Sequence, residues 1–162
     1  MKKLLLVLMF LVSAIFTDLY AQKTYSFEDG LAASKANNRI AVLAIVSQSD
    51  NWSKKMESVF SDPTNSANLD NNFNFIKLDV DQKSMNSYNG KSYSPVDLAH
   101  LLGGTGYPTL VFFTPDGKVI HFKYNNEDVG FFAGYIEATE FGKVLNYFSS
   151  GQYKTTDLSK VF

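Results

Sequence analysis

The stretch from Ile40 to Met56 constrains the fold of this chain more than any other. It begins Ile40-Ala41-Val42-Leu43-Ala44-Ile45-Val46-Ser47, a continuous apolar run rich in β-branched residues. Such a run, bounded by polar sequence and short for a buried helix, is expected to be a strand covered on both faces. It continues as Gln48-Ser49-Asp50-Asn51-Trp52-Ser53-Lys54-Lys55-Met56, a polar turn that opens a helix. Ser49 or Asp50 can cap that helix by accepting from its free N–H groups. A strand buried on both sides needs helices above and below it. A strand running into a helix N-terminus is also where α/β proteins usually place chemistry.

The rest of the composition removes most of the chemistry that such a place could host. The chain has 162 residues, which suits one domain, and is 45% hydrophobic, with 14 Phe and 9 Tyr to fill a core. It has no cysteine, so disulfides, thiol chemistry and cysteine-based zinc sites are excluded. The formal net charge of −1 leaves no basic surplus for nucleic acid or anionic lipid. His100 and His121 fall on separate elements, with no serine or acid at motif spacing, and read as packing or surface residues. Asp79-Val80-Asp81 lacks the further acids of a cation loop and reads as a strand end. Ser47, Ser49 and Ser53 have no Gly-x-Ser-x-Gly elbow around them. No metal and no cofactor is expected.

The first residues read as an export leader. Met1-Lys2-Lys3 precedes an apolar run from Leu4 to about Phe16, and Ala21 offers a small residue at the cut. The run is short of the ~20 residues that a membrane span needs, and Thr17-Asp18 interrupts it. The expectation is cleavage after Ala21 and a periplasmic or extracellular protein with no membrane span thereafter. Residues 1–21 would be the leader, 22–153 the domain and 154–162 a polar, loose tail in which Leu158, Val161 and Phe162 could dock.

Along the domain, Thr24-Tyr25-Ser26 suggests a short strand, and Phe27 to about Asn37 a helix capped by Ser26 with Asp29. Trp52, Met56, Val59 and Phe60 recur at helical spacing. Pro63 can open a further helix reaching Asn72. Phe73 to Val80 alternates as a strand, and Asp81 to Ser94 reads as a polar loop with an Asn89-Gly90 turn. Pro95 to Leu102 is expected to be a helix capped by Ser94 and ended by Gly103-Gly104. Thr109 to Phe113 reads as a buried strand, joined through Thr114-Pro115-Asp116-Gly117 to a hairpin partner over Lys118–Tyr124. A long amphipathic helix is expected from Phe131 to Phe148. The order is β-α-β-α-(α)-β-α-β-β-α, with the first three strands parallel.

This order and its local motifs resemble the thioredoxin-like family from roughly Thr24 to Gly151. Asp50-Asn51-Trp52-Ser53-Lys54-Lys55-Met56 resembles the family's Cys-x-x-Cys-Lys-Lys-Met turn and helix, with Asp50 and Ser53 where the two cysteines would be. Gly106-Tyr107-Pro108-Thr109 resembles its Gly-x-Pro-Thr segment, whose proline is cis and faces the redox pair. Pro115-Asp116-Gly117-Lys118 matches its hairpin turn. The resemblance implies a thioredoxin-like α/β fold: a central mixed sheet flanked by helices, a closing β-hairpin and a C-terminal helix. It also implies that the buried acid of redox-active relatives is replaced here by Ala44.

A carboxylate and a hydroxyl cannot perform thiol–disulfide exchange, which needs one thiolate to attack and a second thiol to resolve. The expected role is therefore a non-catalytic binding or chaperone-like module. Its site is the degenerate redox position, Asp50, Asn51, Trp52 and Ser53, together with Tyr107 and Pro108. The partner expected there is an extended peptide or a protein, held against the Tyr107-Pro108 backbone. Two alternatives stand beside it: a thiol-disulfide oxidoreductase relative working in a non-standard way, and an accessory subunit of an envelope complex.

Overall fold

The computed structural model describes residues 22–162; the leader expectation lies outside them. A five-stranded sheet runs in the order β1 (Thr24–Tyr25), β3 (Phe73–Asp79), β2 (Ile40–Val46), β6 (Thr109–Phe113), β9 (Phe132–Ala133). The first three strands are parallel, as right-handed crossovers require, and β6 runs antiparallel to β2 with Ile45 opposite Thr109. β2 is central, and its residues divide by parity. Val42, Ala44 and Val46 face the cluster built with α2 (Asn51–Phe60), α3 (Pro63–Asn72) and α5 (Ala138–Ser149). Ala41, Leu43 and Ile45 face the cluster built with α1 (Phe27–Asn37) and α4 (Pro95–Leu101). That two-sided burial is what the uninterrupted apolar run announced. Among the described residues, no helix is long and apolar enough to cross a membrane.

The caps fall where the sequence placed them. The Ser26 hydroxyl accepts from the Asp29 N–H, Ser94 from Asp97, and Asp50 caps α2. The elements that differ from expectation are those made by non-local pairing. Asp81–Ser94 is not a plain loop: β4 (Asn86–Tyr88) and β5 (Lys91–Tyr93) form a hairpin on Asn89-Gly90, both at positive φ. The Pro115–Gly117 turn folds the chain back, with Thr114 N–H donating to Lys118 O at 2.8 Å. The return segment does not become the partner strand of β6, however. It meets that strand only at the Phe113–Val119 bridge and the Ile120 N–H to Phe112 O bond. The strand β7 (Phe122–Tyr124) instead pairs with β8 (Glu127–Val129) across Asn125-Asn126, both left-handed.

The last helix begins at Ala138 rather than Phe131. Phe132 and Ala133 pair with Leu110 and Thr109, which covers an edge of β6 that a helix would leave bare. Gly134, at φ 100°, then turns the chain away. Phe131, Phe132, Tyr135 and Ile136 imitate a helical stripe, but the stripe is real only from Phe141 through Phe148.

The terminal residues 154–162 pack onto the body. Leu158 is fully buried, and the Tyr147 hydroxyl donates to Thr156 O at 2.7 Å. The Asp157 carboxylate accepts from the Asn125 and Asn126 N–H groups and from both the N–H and the hydroxyl of Ser159. The Ser159 hydroxyl, with these backbone donors, holds the carboxyl at about 2 against an ordinary 3.8. A depressed folded value means that the clasp stabilises fully above the ordinary value and is lost as pH falls through the folded one. Asp157→Asn should therefore lower the melting temperature most near neutral pH, with the gap to wild type closing from pH ~4 to ~2. Melting curves across that range test this; a gap that stays constant down to pH ~2 would show that the carboxylate does not make the clasp.

Candidate functional site

Asp50 stands at the N-cap of α2 in an extended conformation, and its Oδ2 accepts from the Ser53 N–H at 2.6 Å. A short polar side chain is needed here, because the first N–H groups of a helix have no internal acceptor. The negative charge also lies in the favourable field of the helix N-terminus, worth ~0.3–1 kcal/mol. Ser53 is buried, and its hydroxyl accepts from the Ser47 N–H at 3.1 Å, tying the end of β2 to the first turn of α2. Among the described residues, no histidine or carboxylate bonds to that hydroxyl. Asn51 is exposed.

Trp52 is 51% exposed. One face meets Tyr135, with ring centroids 5.4 Å apart, and the Lys55 ammonium lies 4.3 Å from its ring. Tyr135 follows Gly134, whose N–H donates to Pro108 O at 2.8 Å. Trp52 is thereby linked to the Tyr107–Pro108 bond, which is cis. Pro108 is buried and Tyr107 half-buried. Among the described residues, neither the N–H nor the C=O of Tyr107 has a backbone hydrogen bond.

A second set of bonds fixes the turn between β2 and α2. Asp81 accepts from the Ser49 N–H at 3.0 Å and the Ser47 hydroxyl at 2.9 Å, and these bonds hold its carboxyl below the ordinary carboxylate range. Partial burial pushes the Tyr107 phenol up, and the charge of Asp81 adds to it. Trp52 and the Tyr107–Pro108 segment are thus linked through Tyr135 and Gly134, while Asp81 ties down the Ser47–Ser49 turn that precedes Asp50. On the flank of α2, Val46, Ser47, Gln48, Ser53, Lys54 and Glu57 line an open cleft of about 260 Å³.

Nothing in the local sequence marks Tyr135 or Asp81 as part of the site. Tyr135 was placed inside a helix, and no local signal says that it reaches Trp52. Asp81 was read as a strand end; its proximity to Ser47 and Ser49 follows from the pairing of Val46 with Asp79 across β2 and β3.

A thioredoxin-fold protein from Helicobacter pylori superposes on this chain with a TM-score of 0.63 at 18% identity, over 86% of this chain and 84% of that one. This chain has the thioredoxin fold. A thioredoxin from Thermus thermophilus gives 0.55 at 25% identity, over 78% and 85% of the two chains. DsbH oxidoreductase gives 0.56 at 17% identity, over 83% and 85%. No protein-family profile matches the chain, and the search of curated proteins returned no match.

The first turn of α2 is capped by the Asp50 carboxylate. That group is an anion but no disulfide nucleophile, and its Oδ2 is engaged in the cap. Ser53 is turned inward as a brace. The accessible chemistry of the site consists of an aromatic face, a free backbone pair at Tyr107 and the anionic groups of Asp50 and Asp81.

Proposed function

We propose that this exported thioredoxin-fold chain is a non-catalytic binding module that holds an extended peptide segment across Trp52, Tyr135 and Tyr107-Pro108. The observation that carries this reading is the backbone N–H and C=O of half-buried Tyr107, unpaired among the described residues, linked through Gly134 and Tyr135 to the exposed Trp52 ring. A peptide laid alongside gains main-chain hydrogen bonds from Tyr107, as in strand addition, and apolar contact from the aromatic rings. Export follows from the leader pattern, with the mature chain beginning at Gln22.

Trp52 is the sole tryptophan, so its fluorescence reports on this groove alone. Titration with unstructured peptides should shift its emission saturably. Tyr107→Ala should weaken binding by about tenfold, a typical anchor effect, with a modest fall in melting temperature because the ring also packs against the core. Peptides that leave both Trp52 emission and calorimetric heats unchanged would defeat the reading.

A further inference from the structure

We propose that Gln22 is a modification site: once the leader is cut before it, its own α-amine attacks its side-chain amide and closes an N-terminal pyroglutamyl lactam. This rests on the export reading above. In the full chain, Gln22 Nε2 is buried and has no hydrogen-bond partner among the described residues. An amide nitrogen carries two donors, and burying them unpaired is a standing penalty.

The next residues hold Gln22 against the body. The Lys23 N–H donates to Asp70 Oδ1 at 3.1 Å, and Thr24 and Tyr25 pair with Phe75 and Ile76. Asp70 also draws in Arg39, whose Nη1 donates to its carbonyl at 3.1 Å, while the Lys23 ammonium lies 4.6 Å from the Tyr25 ring. An α-ammonium created on residue 22 therefore arrives beside the Asp70 carboxylate as well as the Lys23 and Arg39 cations. The neutral amine is the nucleophile, and in a group that ordinarily titrates at ~7.7–8 a fraction of it is neutral near neutral pH.

The step balances without a co-reactant. The amine lone pair forms the new bond to Cδ. The Cδ–Nε2 bond breaks, and the proton shed by the amine leaves with Nε2 as ammonia. Nothing is oxidised or reduced. The group expelled is the buried donor that had no acceptor, and the product carries no terminal charge.

The test is to secrete the full chain from a bacterial host, incubate the purified product at neutral pH, and read its intact mass and N-terminus. The expected result is a chain lighter by one ammonia than one starting with free Gln22. It should be blocked to stepwise N-terminal degradation until a pyroglutamyl aminopeptidase removes the cyclised residue and exposes the amine of Lys23. Gln22→Ala should give a free amine and no deficit. A chain that starts at Gln22 and keeps its free amine overturns the lactam but leaves export standing. A chain that starts elsewhere, or retains residues 1–21, overturns both.

Discussion

The double substitution Asp50→Cys with Ser53→Cys is expected to turn a protein with no disulfide-exchange activity into a weak thiol oxidoreductase. The wild-type chain has no thiol, so its turnover of a disulfide substrate is the zero of the experiment. Asp50 is the N-cap of α2, and its side chain already turns toward residue 53, with Oδ2 2.6 Å from that N–H. Cysteines at the two positions would share one helical turn and could close a disulfide. The first thiol would lie where free N–H groups and the helix dipole stabilise a thiolate.

The change has costs. The Asp50 cap is lost, typically ~1 kcal/mol. The Ser47 N–H loses its oxygen acceptor at Ser53. Rates should also be low. Ala44 supplies no proton acceptor behind the pair, and its register neighbour Lys77 is engaged by Glu57 at 2.7 Å. A missing positioned base leaves the step roughly 10²-fold slower or more. Thiol titration before and after oxidised glutathione, followed by an insulin-reduction assay, measures both parts. If the folded variant keeps two titratable thiols under oxidant, positions 50 and 53 are not the redox positions of the fold.

Leu158→Ala should cost about 2–5 kcal/mol, the usual range for emptying a fully buried leucine site. In a chain of this size, that lowers the melting temperature by on the order of 10 °C. Leu158 packs in the cluster of Phe122, Tyr147 and Phe148, so its removal leaves a cavity that aromatic rings cannot easily collapse into. Deleting residues 154–162 should cost more. It also removes Thr156 O, the acceptor of a Tyr147 phenol whose pKa burial pushes up to about 12, and the Asp157 clasp on Asn125 and Asn126. Denaturant or thermal unfolding of both variants decides this. A deletion that melts with the wild type would make these residues the loose tail that their polar composition suggested.

Local pattern carried most of the fold. The unbroken run at Ile40–Val46, the alternation from Phe73, the caps at Ser26, Asp50 and Ser94, and the Gly-Tyr-Pro-Thr segment each state their structure within a few residues. They do so because capping, turn chemistry and periodicity are short-range effects. The segments read differently were those with two admissible local answers. Phe131 to Ile136 satisfies a helical stripe as well as a strand followed by a turn, and the vacant edge of β6 selects the second. Lys118–Tyr124 could have continued against β6, but the Asn125-Asn126 turn gives its final residues a nearer partner in β8.

The candidate site divides in the same way. By itself, the sequence determined the order of elements, the carboxylate at the helix N-terminus and the absence of any thiol, and its resemblance to the thioredoxin-like family implied the type of fold and the cis Tyr107–Pro108 bond. Only the tertiary structure decided that Tyr135 lies against Trp52, that Asp81 ties down Ser47 and Ser49, and that Leu158 fills the core. Each of these depends on strand register and on burial between residues far apart in the chain. Those free energies are set by what the rest of the molecule leaves unpaired, and no window of neighbouring residues contains that information.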